Sequence, residues 1–137
     1  AAGAFVYRTP MMPYLLVFLG AGLGGALRHG VNLGCARLCG PDFPWGTLVI
    51  NVLGSGLMGF IAGWFAFKAG EGWLQSARLF LTSGVLGGFT TFSAFSLDAI
   101  LIWERGEMGA ALLYVLGSVL LSLAALVLGL ALVRSLA

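Results

Sequence analysis

Residues 83–96 read Ser83-Gly-Val-Leu-Gly-Gly-Phe-Thr-Thr-Phe-Ser-Ala-Phe-Ser, setting two adjacent glycines, two threonines and three phenylalanines among serines inside a strongly apolar stretch. Gly87-Gly88 followed by β-branched Thr90-Thr91 is a poor helical sequence. In hydrocarbon, unwound backbone is tolerated only where it is buried in protein or lines a polar cavity. An interruption here would present carbonyls to a cation or amide hydrogens to an anion, as discontinuous transporter helices do. The alternative is a continuous helix whose glycines serve close packing. Phe89, Phe92 and Phe95 recur every three residues, which places at least two rings on one face. Ring edges carry partial positive charge. A phenylalanine presented edge-on can therefore contact an anion without a full charge, while the bland reading of such a stripe is packing.

Other polar residues stand in apolar surroundings. Asn51, within Thr47-Leu-Val-Ile-Asn-Val-Leu-Gly, offers an NH2 with two donors. Tyr114, Ser118 and Ser122 recur every four residues, so their hydroxyls line one helix face. Each serine has a competing option, because a hydroxyl in a helix can fold back onto the preceding turn's carbonyl. Arg28 and Asp98 are the charges nearest hydrocarbon, where charge is costly and marks a functional hypothesis. Arg28 lies near a helix end, however, where snorkelling explains it equally well. Cys35 and Cys39 sit four apart near the single histidine, His29. A zinc site needs about four ligands, so these read as two plain thiols.

The elements that position these groups follow from composition. The chain is 137 residues long, 60% hydrophobic and 9% charged, against about 25% charged in a soluble domain. Its apolar residues form four stretches, expected at about Tyr14–Leu33, Trp45–Phe67, Arg78–Trp103 and Gly109–Val133. Each is long enough to cross a bilayer, which takes about 20 residues at about 1.5 Å rise. The reading is therefore an all-α membrane protein of four transmembrane helices in one domain, residues 14–133. Residues 1–13 and 134–137 are read as short tails, the first lacking the pattern of a signal peptide. Pro41 and Pro44 break the first joint, and Trp45 and Trp64 mark the ends of the second stretch as interfacial anchors.

The basic residues divide almost evenly between the two sides, Arg8, Lys68, Arg78 and Arg134 against Arg28, Arg37 and Arg105. So weak a bias suggests insertion in both orientations, and two opposed copies could pair as inverted repeats do. The alternative is a topology fixed by other features. A net charge of +2 with scattered basic residues excludes a nucleic-acid face. With one His, two Cys and no interior acid–base pair, the chain has little from which to build an enzyme.

Taken in order, Gly24-Gly-Ala-Leu-Arg28, Trp45-Gly-Thr-Leu-Val-Ile-Asn51-Val-Leu-Gly and Gly87-Gly-Phe-Thr-Thr-Phe-Ser-Ala-Phe95-Ser resemble the CrcB/Fluc fluoride channel family over about residues 14–133. The resemblance implies a passive, fluoride-selective channel of the plasma or inner membrane, exporting fluoride and relieving its toxicity. It implies an antiparallel, dual-topology homodimer with two pores, a third helix broken in mid-membrane and a structural Na+ at the dimer centre. By the same resemblance Asn51, Phe92 and Phe95 line the pore, with Thr91 a polar neighbour and Tyr114 and Ser118 contributed by the fourth helix. The sodium would rest on backbone carbonyls of Gly87 and Thr90, and Arg28 matches the arginine that ends the first helix in a vestibule or structural role. Phe18 and Leu19 stand where an asparagine is often found, Ala94 where Thr or Ser is common, and Asp98 where an acidic residue is frequent.

Chemistry and resemblance agree, because fluoride is small and strongly hydrated and needs donors to replace its water. Asn51, Ser118 and Thr91 would supply them, while edge-on rings avoid a fixed charge that would trap the ion. Two other readings stay open. A small dual-topology multidrug transporter would need a membrane-embedded carboxylate, and Asp98, the one candidate, sits near an interface. A non-transporting assembly partner would use its polar residues only to join helices.

Overall fold

The computed structural model describes residues 11–67 and 72–136. Expectations for Arg8, Lys68 and most of the N-terminal tail lie outside the described residues. Helix α1 covers Met11–Cys39, α2 covers Trp45–Phe67 and α3 covers Gly72–Leu79. A π-helical stretch, Phe80–Leu86, leads into α4, Gly87–Phe89. Helix α5 follows at Phe92–Glu104 and α6 at Met108–Leu136. The run from Gly72 to Glu104 forms one candidate membrane span, and with α1, α2 and α6 the described residues hold four. The protein is a multi-pass membrane protein.

Three of the four spans are longer as helices than as apolar segments. Helix α1 continues from the expected Leu33 to Cys39 and α6 continues to Leu136. Hydropathy registers the part of a helix that lies in lipid, whereas the backbone hydrogen bonds continue until something ends them. For α1 that is Gly40, at φ +82°, followed by Pro41; for α5 it is Gly106, at φ +84°. Both occupy the left-handed conformation that closes a helix and that glycine adopts without a Cβ clash.

The spans associate in two pairs, α1 with the third span and α2 with α6. A methyl group on Gly24 would run into the Val85 carbonyl, and one on Gly20 would come to 2.7 Å from the Phe80 carbonyl. In the other pair, Gly59 abuts the Leu126 carbonyl and Gly129 abuts the Gly56 carbonyl. Backbone approach this close is how membrane helices gain packing where lipid supplies no hydrophobic drive between them. Around these seams the outer surface is apolar, with residues such as Leu113 and Leu128 exposed to the lipid.

Gly87 and Gly88 are helical, and the backbone departs from helix at the following threonines instead. Thr90 has φ −78°, ψ 155° and Thr91 has φ −151°, ψ 119°, both extended. The first and third loops meet at one end of the molecule, where Arg105 Nη2 donates to the Asp42 carbonyl at 2.9 Å and to Glu107 Oε2 at 3.1 Å.

Candidate functional site

Two extended residues inside an apolar span leave backbone groups without helical partners, and those groups need others. Asn51 supplies them. Its Nδ2 donates to the Thr91 carbonyl at 3.0 Å, and the Thr91 N–H donates to Asn51 Oδ1 at 2.9 Å. This two-point clamp joins α2 to the third span across 40 residues of sequence. It engages one of the two amide hydrogens that the sequence offered to an anion and leaves the other. The Thr91 hydroxyl caps α5 by accepting from the Ala94 N–H at 3.2 Å and lies 3.4 Å from Ser93 Oγ. A hydroxyl that accepts an N–H keeps its own hydrogen to donate.

The same bonds take the helical donors from two carbonyls of the third span. In a continuous helix Gly87 O would accept from the Thr91 N–H, and Thr90 O from the Ala94 N–H. Those hydrogens go instead to Asn51 Oδ1 and Thr91 Oγ1. Gly87 O and Thr90 O are therefore oxygens without their helical donors, a donor set suited to a hard cation such as Na+. Among the described residues no three His, Cys, Asp or Glu side chains come together as metal ligands, and Cys35 and Cys39 are free thiols.

Beside the clamp runs a groove of about 330 Å³ between α2, the third span and α6, lined by Asn51, Thr91, Phe92, Phe95 and Ser118 together with Ser55 and Ser122. No charged side chain lines it. Phe95 is 9% exposed and forms one wall, whereas Phe92 is 78% exposed and faces out of the chain; their ring centroids lie 5.6 Å apart. Ser118 is buried, and its Oγ has no hydrogen-bond partner among the described residues. An orphaned buried hydroxyl is rare because burial without a partner costs about 1–3 kcal/mol.

Tyr114 lies outside this groove. Its ring is buried edge-on against Phe43, with centroids 5.5 Å apart, and beside Phe95, 5.3 Å away. Its hydroxyl donates to Asp98 Oδ2 at 3.1 Å, with Thr47 beside it. A wider mouth of about 390 Å³ opens from there toward the joined loops, lined by Thr47, Asp98, Asn32, Cys35 and Arg105. Arg28 is half-buried on α1 and lines neither space.

Sequence reasoning passed over Thr47 and Ser55 and placed Asp98 too near the interface to assign it. The signal was present, because Thr47, Asn51 and Ser55 recur every four residues on α2 as Tyr114, Ser118 and Ser122 do on α6. Helices α2 and α6 run in the same direction, and Gly59 abuts the Leu126 carbonyl, each residue four beyond Ser55 and Ser122 in turn, so the two series stand level in three rungs.

Fold and site define a class: a four-span membrane protein with a neutral, donor-bearing groove beside a non-helical point in one span. Within that class the chain belongs to the CrcB family, whose model, described as "CrcB-like protein, Camphor Resistance (CrcB)", matches residues 15–130. A fluoride-specific ion channel FluC of Rhodopseudomonas palustris (strain BisB5) is 60% identical over 124 residues, covering 90% of this chain and 98% of its own length. The fluoride-specific ion channel FluC 2 of Nitrobacter hamburgensis is 58% identical, covering 91% of this chain and 99% of its own length. A FluC of Methylobacterium nodulans is 59% identical, with 90% and 98% covered.

Proposed function

We propose that this chain is a fluoride-selective channel that lets the ion leave the cell passively, and that the groove beside Asn51 is half of its conducting path. The observation that carries this reading is the buried, unpartnered Ser118 hydroxyl in a groove with no charged lining. A small anion can exchange water for neutral donors there, and the absence of a fixed cation leaves it free to depart. The Ser118 O–H, the second Asn51 amide hydrogen and the Thr91 O–H are the donors, with the edges of Phe92 and Phe95 between them. Tyr114 acts behind them by holding Asp98. The relatives bearing the name fluoride-specific ion channel support the choice of ion.

The working unit in this reading is an antiparallel homodimer of dual topology, its third helix interrupted in mid-membrane at Thr90–Thr91. An outward ring at Phe92 is what a second copy would cover, closing the open side of the groove. A sodium ion at the centre, resting on the Gly87 and Thr90 carbonyls, would neutralise the facing oxygens of two interrupted helices. Residues 14–133 form the channel domain, and Arg28 serves its structure.

Purified protein in liposomes is expected to release fluoride within seconds without an energy source while retaining chloride, read with ion-selective electrodes. Chloride leaving as fast as fluoride would overturn the assignment, and a multidrug transporter or an assembly partner would move no fluoride at all. Topology has its own test. Glu107→Cys, with Cys35 and Cys39 replaced by serine, is expected to react with an impermeant thiol reagent on both faces of the membrane; reaction on one face means a fixed orientation.

A further inference from the structure

The hydroxyls of this protein divide by what they do with their hydrogen. Thr82 donates to the Arg78 carbonyl at 2.7 Å, Thr90 to Leu86 at 2.8 Å and Ser96 to Phe92 at 3.0 Å, each folding back one turn along its own helix. That is the ordinary fate of a helical hydroxyl in lipid. Ser55 is different. It lines the groove one turn beyond Asn51, and among the described residues its hydroxyl neither folds back to the Asn51 carbonyl nor meets another partner. Ser76 and Ser83, which also lack partners, are exposed on the outer surface, whereas Ser55 is half-buried.

We propose that Ser55 contacts the permeating anion, extending the donor series of α2 to a third rung opposite Ser122. The inference rests on the reading of the groove as a fluoride path. Ser55 relates to Asn51 as Ser122 relates to Ser118, four residues on, so a rung at Ser55–Ser122 lies about 5–6 Å past the rung at Asn51–Ser118. The independent sign that this groove takes a ligand is the buried and unpartnered Ser118 Oγ. An ion leaving the Ser118 level would meet Val119 and Leu123 on the wall, both apolar, with Ser55 and Ser122 as the next hydroxyls. Without them a strongly hydrated anion would face a stretch with nothing to replace its water, which would be the barrier to flux. The hydroxyl hydrogen of Ser55, free of any carbonyl, can turn to the ion without first breaking a bond.

The test is a series at one position in reconstituted liposomes, with fluoride flux expressed per active channel. Ser55→Ala keeps the volume and removes the donor, and flux is expected to fall about tenfold or more. Ser55→Cys keeps a weak donor and is expected to fall between the parent and Ser55→Ala. Ser83→Ala, off the groove, is expected to match the parent. A Ser55 that only packs against the fourth helix predicts equal flux for all three, and Ser55→Ala within twofold of the parent overturns the assignment. Should Ser55→Ala fail to purify as a single species, Ser55→Val, which also lacks the donor, decides in its place, with flux within twofold of the parent overturning the proposal. A parent that conducts while Ser55→Ala does not supports the rung. A parent that releases no fluoride removes the channel reading and this proposal with it, so the two failures are distinct.

Discussion

The third span meets its two neighbours, α1 and α2, by opposite means. Where α1 crosses the third span, contact is backbone on backbone: Gly20 and Gly24 admit the carbonyls of Phe80 and Val85, and Gly88 admits the main chain of Ala21. Where α2 meets the same span one turn past Gly88, the joint is made by a side chain, with Asn51 bonded twice to Thr91. The first arrangement leaves no space. The second holds the main chain in an extended form at an amide's length from the neighbouring helix, and a groove results. Small residues thus close one side of the third span, and polar residues keep the other side open and line it.

The comparison breaks most completely at Gly24. Gly24→Leu would drive a side chain into the Val85 carbonyl, and because the obstacle is backbone, neither helix can yield locally; overpacking of this kind costs about 1–3 kcal/mol or more. No single species is expected on size-exclusion chromatography, and normal elution would show that the seam is looser than its geometry. Asn51→Ala is the matching change on the other side. It leaves the Thr91 N–H and carbonyl unpaired, at about 1–3 kcal/mol each, and fluoride flux is expected to drop about a hundredfold in protein that still folds on its glycine seam. A flux within threefold of the parent would show that the clamp does not shape the groove.

A smaller effect is expected at the rings. Phe92→Ile and Phe95→Ile keep apolar bulk and lose the electropositive edge, and each is expected to cut flux about tenfold with the protein intact, as about 1–1.5 kcal/mol of aromatic interaction would. Phe89 is buried on the other side of the extended pair, against Gly54. Phe89→Ile is therefore expected to lower thermal stability and leave flux per surviving channel unchanged. Equal losses of flux at all three positions would mean the rings only pack. Smallest of all is Ser96→Ala, whose hydroxyl is already bonded to the Phe92 carbonyl; flux within twofold of the parent is expected, and a large loss would show that a folded-back hydroxyl can still serve the ion.

Four membrane crossings were legible because hydropathy is local. Twenty neighbouring residues decide whether a segment prefers lipid, and α2 begins and ends at the Trp45 and Phe67 that its apolar run marks. The residues of the groove were legible too, since Asn51, Thr91, Phe92, Phe95 and Ser118 are polar or aromatic groups at odds with their surroundings. Helix ends were less so, because α1 runs on to Cys39 through residues that water, not lipid, can cover. The sequence could not say which hydrogens remain for an ion. Asn51 offered two amide donors and keeps one, Tyr114 offered a hydroxyl that Asp98 holds, and Ser118 and Ser55 avoided the fold-back that Thr82 and Ser96 adopt. A donor's partner is a matter of distance and angle between groups such as Asn51 and Thr91, 40 residues apart. The sequence by itself determined which segments cross the membrane and which polar groups enter it. Tertiary structure alone decided which of those groups satisfy one another and which are left facing the groove, because hydrogen bonds form between neighbours in space.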